Sequence, residues 1–408
     1  MYIGFDLTII ITTPIYYMAD TFKGKRLSIV DKLFPFLIYF KYKFIIILKR
    51  GEIIMKRIDE RDIIFSRANY KKGTSSYEDY YNKNPDKKLI DDSIRSRPNL
   101  CSEGSMTYNE INSPMASSAF EFLSDIKHLC EGEINKIKVS VDKNIITKRI
   151  KGFAHHYGAN LVGITRLKDY HFYTNRGRHE ENYGEEINLN HKYAIVFAVP
   201  MNKDMINRGP MLSEVIETSK AYVDVSIIGM ILSYYIRSLG YDARNHMDSN
   251  YLLMPVLIAK DAGLGSIGRN TILTTKDYGS CIRLGVVTTT LDLKEDNPID
   301  FGLDDFCSVC KKCAYNCPSM SLSKDIEKKS NGNYNWTIDS ESCYIKWRYL
   351  GTDCGICIAV CPFSQQLDSI KNVDTFKNNL PLITEVLKEY NKKFGKRPFI
   401  PGNPSWMR

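Results

Sequence analysis

The stretch of this chain best suited to chemistry is a block of cysteines from Cys307 to Cys361. It holds eight of the 11 cysteines: seven in two runs that each end in a Cys-Pro step, and Cys343 between the runs. The first run is Cys-x2-Cys-x2-Cys-x3-Cys-Pro and the second is Cys-x2-Cys-x3-Cys-Pro. In such spacing, three thiolates of one loop surround a cubane iron–sulfur cluster, and the thiolate before the proline ligates the other cluster. The block therefore predicts a protein that carries electrons through two 4Fe–4S clusters.

The same spacing divides the thiolates between the two clusters. The ligands predicted for cluster 1 are Cys307, Cys310, Cys313 and Cys361. The ligands predicted for cluster 2 are Cys317, Cys343, Cys354 and Cys357. A zinc site would more often use two Cys-x2-Cys pairs. A disulfide framework is typical of small secreted chains, and the sequence shows no cleavable signal peptide.

Composition bounds the class of protein and its partners. The 408 residues are enough for two or three domains, and a hydrophobic content of 43% supplies a sizeable core. The formal net charge of +9 is mild for this length, and the basic residues are dispersed, so no nucleic-acid partner is expected. A weakly basic surface suits an acidic electron donor such as a ferredoxin or a flavodoxin. The cluster cysteines imply a reducing, anaerobic setting.

Hydrophobic periodicity predicts a body of strands and helices ahead of the cysteine block. Asp142 is predicted to cap a helix that ends at Gly158, and Pro210 to open a long helix that ends near Gly240. The predicted strands are 161–165, 193–199 and 279–291, and the other predicted helices are 118–131, 252–260 and 382–390. This order favours an α/β or α+β fold with a two-cluster module packed on it.

The first 118 residues differ from this body. Residues 1–54 hold two apolar runs, and the longer, at 34–48, is shorter and more charged than the ~20 apolar residues that a membrane span needs. We expect either a peripheral membrane-surface anchor or an untranslated extension with the true start at Met55. The second interpretation is favoured because residues 49–52 can be encoded by a purine-rich string like a ribosome-binding site. Residues 55–118 are polar and rich in tyrosine, which predicts an extended arm with short helices only.

Three glycines within six residues, Gly263, Gly265 and Gly268, would let the backbone approach another group closely. Their spacing is nominally that of a dinucleotide-binding loop. Such a loop follows a strand and is followed by an acidic residue about 20 positions later. Here a helix is predicted before the glycines and a strand after them, so a nicotinamide-binding fold is disfavoured.

Taken together, several segments resemble the cobalamin-dependent reductive dehalogenases. They are the glycine segment 262–269, the run 283–289 and the two cysteine runs, with 59–62 and 77–85 resembling the start of such proteins. The resemblance covers residue 55 to the end of the chain. Its glycine and cysteine motifs are shared with the epoxyqueuosine reductases.

The resemblance implies an architecture and a reaction. It implies a nitroreductase-like catalytic core at 119–303 that binds a base-off corrinoid (cobalamin), a ferredoxin-like domain with both clusters at 304–370, and a C-terminal tail at 371–408. Electrons are then expected to pass from the clusters to cobalt, whose reduced form removes halide from a small organohalide substrate.

The resemblance also implies roles for individual residues. Tyr222 matches the family's proton donor, and Arg269 matches the cation that stabilises the tyrosine anion. Gly263, Gly265 and Gly268 are expected to lie against the corrinoid. In the family these roles make the protein an oxidoreductase that couples cluster reduction to loss of halide.

Two departures from the family pattern leave alternatives open. Ser266 stands where these dehalogenases commonly carry glutamate, and the twin-arginine export signal of the respiratory members is missing, which favours a cytoplasmic member. One alternative is an epoxyqueuosine reductase-like enzyme of tRNA modification, because Asp248 lies near the place of that family's catalytic aspartate. The other is a non-catalytic iron–sulfur electron carrier, which would leave the large body before the clusters unexplained.

Overall fold

The computed structural model describes residues 47–49, 52–54, 56–325 and 336–408. The chain divides into two compact units, Met1–Met55 and Lys56–Arg408. In the first unit, strands β1 (Ile47–Lys49) and β2 (Glu52–Ile54) form an antiparallel ribbon. Apart from that ribbon, the anchor and the untranslated extension expected for residues 1–54 lie outside the described residues. Among the helices that the structure describes, none has the length and apolar character to cross a bilayer.

The arm of the second unit consists of short helices joined by loops, as predicted. The helices are α1 (Ile64–Arg67), α2 (Ser75–Lys83), α3 (Pro85–Arg95) and, at its end, α4 (Ser113–Ile126). Helix α4 begins at Ser113 and not at Ser118, because Pro114 at its first turn is compatible with a helix start. Tyrosines pack against one another in the arm: Tyr70, Tyr77, Tyr80 and Tyr81.

The core is a four-stranded antiparallel sheet with strand order β3–β4–β8–β5. Its strands are β3 (Leu161–Arg166), β4 (Tyr193–Pro200), β5 (Ala243–His246) and β8 (Ile282–Thr289), and a ribbon pairs β6 (Ser266–Ile267) with β7 (Leu273–Thr274). Strand β4 is buried on both faces, since Ile195 and Phe197 lie in one apolar cluster and Ala194 and Val196 in the other. This division follows from the two-residue period of a strand.

Helices cover both faces of the sheet. They are α5 (Lys143–His156), α6 (Lys203–Ile206), α7 (Leu212–Ser238) and α8 (Pro255–Asp261). Helix α5 begins as predicted, because the Asp142 carboxylate accepts hydrogen bonds from the Asn144 and Ile145 amides. Helices α5 and α7 pack on the Ile195 face, and α8 packs on the Ala194 face. Helix α7 runs through 27 residues, long enough to join the sheet to the cysteine module.

The cysteine module follows the sheet. Its helices are α9 (Leu303–Cys310), α10 (Lys312–Asn316), α11 (Ser340–Leu350), α12 (Ile356–Ala359) and α13 (Asp368–Lys371), followed by α14 (Leu380–Phe394) of the tail. Three phenylalanines form the centre of a third apolar cluster, Phe306, Phe363 and Phe376. Helix α14 packs on that cluster through Ile383, Val386 and Tyr390. The fold is therefore mixed α and β, with a cysteine module on a helix-covered sheet.

A buried ion pair ties the arm to helix α11. The Arg67 guanidinium donates to both Asp91 carboxylate oxygens, at 3.0 and 2.6 Å, and to Glu341 Oε1 on α11 at 2.7 Å. The Asp91 side chain is fully buried and also accepts a hydrogen bond of 2.8 Å from Tyr81 Oη. Because α11 carries Cys343, this network fixes one of the predicted cluster ligands to the arm.

We expect Asp91→Ala to lower the free energy of unfolding by about 3–5 kcal/mol, because it leaves much of a buried guanidinium charge uncompensated. Chemical denaturation of the purified protein measures this change. The matched control is Asp224→Ala, which removes the exposed Lys220–Asp224 pair of helix α7 and should cost under about 1 kcal/mol. Equal losses in the two variants would contradict a structural role for the buried pair.

Candidate active site and cluster-binding loops

The structure brings the first predicted set of thiols together. Burial raises the pKa of the Cys307 thiol, and the neighbouring thiolates of Cys313, Cys361 and Cys310 raise it further. All four cysteines, together with Cys357 of the second set, line one cavity between α9 and the loop at Pro362. A protein-lined cavity edged by these thiols fits a bound cluster, whose iron would replace the thiol protons.

The second predicted set of thiols is also grouped. Burial raises the pKa of the Cys357 thiol, and Cys354, Cys343 and Cys317 raise it further. Left-handed backbone at Cys354 and Gly355, with φ of 70° and 61°, turns the chain sharply around this group. Burial raises the pKa of the Cys313 thiol, and the thiolates of Cys310 and Cys357 raise it further. Because Cys357 belongs to the second group, the two groups are neighbours, as electron transfer between two clusters requires.

The pairing and grouping of the cysteines bear on the two other interpretations, a disulfide framework and a zinc site. All 11 cysteines are free thiols. Across residues 56–325 and 336–408, no group of three or more histidine, cysteine, aspartate or glutamate side chains lies close enough to hold a single metal ion. The two groups of four thiols are candidate cluster sites.

A pocket of about 670 Å³ lies between helix α7, strand β8 and helix α11. Tyr222 on α7 and Arg283 on β8 both line it, and the Arg283 guanidinium carbon lies 4.0 Å from the centre of the Tyr222 ring. Arg283 Nη2 donates to Thr218 Oγ1, one helical turn before Tyr222, at 3.5 Å. The other lining side chains form an aromatic part, with Phe65, Phe120, Tyr344 and Trp347, and a polar part that includes Arg178, His179, Glu180 and Asp248.

The pocket reaches the second group of thiols. Asp353, the residue before Cys354, lines the pocket together with two side chains of α11, the helix that carries Cys343. A group bound in the pocket would therefore lie beside cluster 2. Cluster 1 would lie further away, since its thiols line a separate cavity.

The electrostatics of the pocket keep Tyr222 protonated. Burial raises the pKa of the Tyr222 phenol, Arg283 lowers it, and Asp248 raises it again. The side chain lies deep in the protein, although part of its surface is open to the pocket. The phenol can thus hold a proton at neutral pH, while the Arg283 cation beside it stabilises the anion that remains after proton transfer.

Polar atoms in the pocket wall lack partners within the chain. Arg283 Nε and Asp353 Oδ1 are buried and have no hydrogen-bond partner among the described residues. Such orphaned groups are rare in folded proteins and often mark the place of a ligand. The donor and the acceptor fit a cofactor rimmed by amide groups, as a corrinoid is. The residues present are therefore compatible with a corrinoid in this pocket.

Arg269 lies at the cluster 1 loop and not at Tyr222. Its Nε and Nη2 donate to the Cys307 carbonyl at 3.1 and 3.0 Å, and its Nη1 donates to the Ser323 carbonyl at 2.8 Å. Burial raises the pKa of Tyr222, and the cations that lower it are Arg283 and Arg178. The structure thus replaces the pairing of Tyr222 with Arg269 by a pairing with Arg283, because β8, and not the glycine segment, faces helix α7.

The glycine segment packs against the chain itself. A Cβ added to Gly263 would lie 2.3 Å from the Asn297 carbonyl oxygen, and one added to Gly265 would lie 2.4 Å from that of Thr274. A Cβ on Gly268 would lie 3.8 Å from Cys307 Sγ. The space at Gly263 and Gly265 is filled by backbone, which differs from the expected contact with a corrinoid. Gly263 and Gly265 thus let backbone segments of the core approach one another closely, and Gly268 is the one of the three that lies near a predicted cluster ligand.

Two functional candidates were missed by the sequence-based assignment of roles. Arg283 belongs to the run 283–289 that carried the family resemblance, yet it received no role. The available signal was a charged residue inside a strand that is otherwise apolar, since arginine is rarely buried without a purpose. Ser249, in the left-handed conformation with φ of 58°, lines the pocket beside Asp248. Its backbone strain has no signature in the sequence.

Comparisons with known proteins agree with these features. Residues 306–365 match the family described as a 4Fe-4S dicluster domain. Over 215 residues, 50% of this chain, the sequence is 30% identical to a tetrachloroethene reductive dehalogenase of Desulfitobacterium hafniense, of which it covers 39%. Over 178 residues, 42% of this chain, it is 35% identical to the enzyme of that name from Sulfurospirillum multivorans, of which it covers 35%. The chain thus spans less than half of the length of these curated relatives.

The chain is also similar to epoxyqueuosine reductases and to a solved dehalogenase. It is 32% identical over 155 residues to the epoxyqueuosine reductase of Lactococcus garvieae, covering 35% of this chain and 43% of that protein. A solved catabolic reductive dehalogenase, NpRdhA, superposes with a TM-score of 0.66 at 22% identity over 87% of this chain and 48% of that chain. The predicted resemblance is confirmed: the chain has the fold of reductive dehalogenases and sequence similarity to them and to epoxyqueuosine reductases.

Proposed function

We propose that this chain is a corrinoid- and iron–sulfur-dependent reductase that removes halide from a small organohalide. The observation that carries the proposal is the pairing of Tyr222 with Arg283 in a pocket that reaches the second group of thiols. A protonated phenol beside a buried cation is suited to deliver a proton. The thiols behind the pocket would hold the source of electrons.

The overall reaction joins one organohalide, two electrons and one proton to give a halide ion and a carbon–hydrogen bond. A corrinoid in the pocket would supply the reduced cobalt that attacks the carbon–halogen bond. Tyr222 would donate the proton from its Oη to the carbon, and Arg283 would stabilise the phenolate until it is reprotonated. The aromatic wall, including Phe65 and Trp347, would exclude water from the reacting carbon.

The base-off state of the corrinoid belongs to the same proposal. His179 lines the pocket, but its Nε2 lies 2.7 Å from the Ser249 carbonyl oxygen and is engaged there in a hydrogen bond. This contact ties the His179 ring to the backbone of the pocket wall, which fits the proposal that no protein side chain would ligate the corrinoid. The proposed electron donor is a ferredoxin or a flavodoxin, because the formal net charge of +9 suits an acidic partner.

The test is anaerobic purification with cobalamin supplied, followed by metal analysis, visible spectroscopy and an organohalide screen. We expect about eight iron and one cobalt per chain, as two 4Fe–4S clusters and one corrinoid require. We also expect a base-off spectrum and halide release with a strong reductant. Full iron without cobalt would indicate an electron carrier and would overturn the proposal.

A second candidate is an epoxyqueuosine reductase-like enzyme. It is favoured by Asp248, which lines the pocket and acts electrostatically on Tyr222, and by the similarity to the Lactococcus garvieae protein. The same holoprotein distinguishes the candidates when it is offered either organohalides or tRNA that carries epoxyqueuosine. Turnover of the tRNA alone would favour the second candidate.

Replacing Arg283 should weaken proton delivery in a way that depends on pH. Arg283 lowers the pKa of Tyr222, so Arg283→Gln raises that pKa and leaves the phenolate without its cation. We expect a loss of about 10²-fold or more in kcat/KM, the scale for one electrostatic stabiliser. Because Tyr222 acts in its protonated form, the alkaline limb of the pH–rate profile should move to higher pH.

Arg283→Lys is the conservative variant for this experiment, because it keeps a cation in the pocket. It should recover part of the rate and return the alkaline limb towards its original position. Rates are compared per bound cobalt in the wild type and both variants, because Arg283 also lines the proposed corrinoid pocket. This comparison separates an effect on chemistry from loss of the corrinoid. An alkaline limb that does not move in Arg283→Gln would contradict the assigned role.

A further inference from the structure

The C-terminal helix places an unpaired hydroxyl beside the cluster 1 thiols. Tyr390 on α14 is fully buried, with 0% of its surface exposed. Its Oη has no hydrogen-bond partner among the residues that the structure describes. Most buried hydroxyls in folded proteins are paired. An orphaned hydroxyl in a tightly packed core therefore points to an acceptor that the polypeptide does not provide.

The surroundings of Tyr390 identify that acceptor. The ring belongs to the apolar cluster around Phe306, against which Cys307, Cys310 and Cys361 pack. Burial raises the pKa of the Tyr390 phenol, and the thiolates of Cys310 and Cys361 raise it further. The two cysteines therefore lie near the phenol. The apolar cluster around the ring offers no oxygen or nitrogen partner to the hydroxyl, so the sulfur atoms at these cysteines, or those of the group they hold, are the acceptors that the geometry favours.

The ring of Tyr390 is held in place by its neighbours. Lys312 Nζ lies 4.0 Å from the ring centre, and Asn391 Oδ1 accepts a hydrogen bond of 2.7 Å from the same nitrogen. Phe394 packs edge-on against the ring with centroids 5.2 Å apart. These contacts fix the position of the ring and with it the position of Oη.

Building on the proposed cluster ligands, we propose that the Tyr390 hydroxyl donates a hydrogen bond to a sulfur atom of cluster 1 and raises the reduction potential of that cluster. The reduced cluster carries one more negative charge than the oxidised cluster. A hydrogen bond to sulfur therefore stabilises the reduced state more than the oxidised state. Tyr390 acts on cluster 1, which lies away from the substrate pocket, and it helps this cluster accept an electron from the external donor.

The experiment uses the full chain purified anaerobically with its clusters and without corrinoid. Redox titrations followed by EPR compare the wild type with Tyr390→Phe, and a Cys343→Ser reference identifies the signal of cluster 2. We expect cluster 1 of Tyr390→Phe to titrate at a more negative potential, with cluster 2, the iron content and thermal stability unchanged. Tyr315→Phe is the matched control, because Tyr315 on α10 is 60% exposed and its variant should titrate like the wild type.

Two results would overturn the inference: an unchanged cluster 1 potential, or a shift confined to cluster 2. If Tyr390→Phe lost iron, its redox titration could not be compared with that of the wild type. ENDOR of the reduced wild-type protein carrying ring-deuterated tyrosine would then show whether the Tyr390 ring lies beside cluster 1. Deuterium coupling from a ring within hydrogen-bond reach of cluster 1 supports the inference, and no such coupling overturns it. The titration needs neither corrinoid nor substrate, so it can succeed even where the proposed dehalogenation fails.

Discussion

Tyr222→Phe should retain iron and cobalt but lose turnover by about 10²- to 10⁴-fold, the usual contribution of a positioned general acid. The phenol can hold a transferable proton beside a buried cation, with Arg283 4.0 Å from its ring centre. Phenylalanine fills the same volume and keeps the contact with Phe120. The loss should therefore fall on the chemical step and leave the pocket intact.

The measurement is the single-turnover rate of halide release by the reduced holoprotein, together with its metal content. Tyr234→Phe is the matched control: the residue lies on the same helix, is 52% exposed, and its variant should react at the wild-type rate. Full turnover by Tyr222→Phe would remove this residue from the mechanism. Loss of cobalt in the same variant would instead indicate a role in binding the corrinoid.

Cys310→Ala should lose cluster 1 and with it much of the stability of the module. The thiol packs against the apolar cluster around Phe306 and lines the cavity of the first thiol group. Without one ligand, the cavity holds an incomplete cluster. We expect iron to fall from about eight to four or fewer atoms per chain, because binding and folding are coupled at such sites. Iron analysis and thermal unfolding measure the two effects.

Cys281 supplies the matched control for that experiment. It is another buried cysteine, 4% exposed. Burial raises the pKa of its thiol, and Glu217, Glu214 and the nearby Cys361 thiolate raise it further. Its Sγ donates to the Met201 carbonyl at 3.5 Å and belongs to neither proposed ligand set. Cys281→Ala should keep all of its iron. The ligand assignment would be wrong if Cys310→Ala also kept its full iron.

Features that depend on neighbouring residues could be predicted from the sequence. The cysteine spacing predicted a module with two clusters, which the match of residues 306–365 to a 4Fe-4S dicluster domain supports, since a loop that surrounds a cluster needs ligands at short, regular intervals. The division of the eight thiols between the clusters stays a prediction. Asp142 marked the start of helix α5, because an N-cap contacts amides only two or three residues away. The strands at 161 and 193 were predicted to within one residue at each end, since each is a continuous run with a clear end.

Features that depend on contacts between distant parts of the chain could not be predicted from the sequence. The choice between Arg269 and Arg283 as partner of Tyr222 requires the register of β8 against α7, which no local pattern encodes. Strand β5 was missed because its residues Ala243–His246 are mostly polar, and they are buried in the structure. The tight packing at Gly263 depends on a carbonyl at Asn297, more than 30 positions away.

The arm has a consequence for the synthesis of the protein. Arg67 and its acceptor Glu341 are 274 positions apart in the chain. At translation rates of about 5–20 residues per second, the arm would leave the ribosome roughly 14 to 55 s before its docking site exists. During this interval its tyrosines could pack only within the arm, against one another. Helix α11 and Cys343 can reach their final position only after residues 340–350 have emerged, so the proposed cluster 2 would be completed well after the arm has formed.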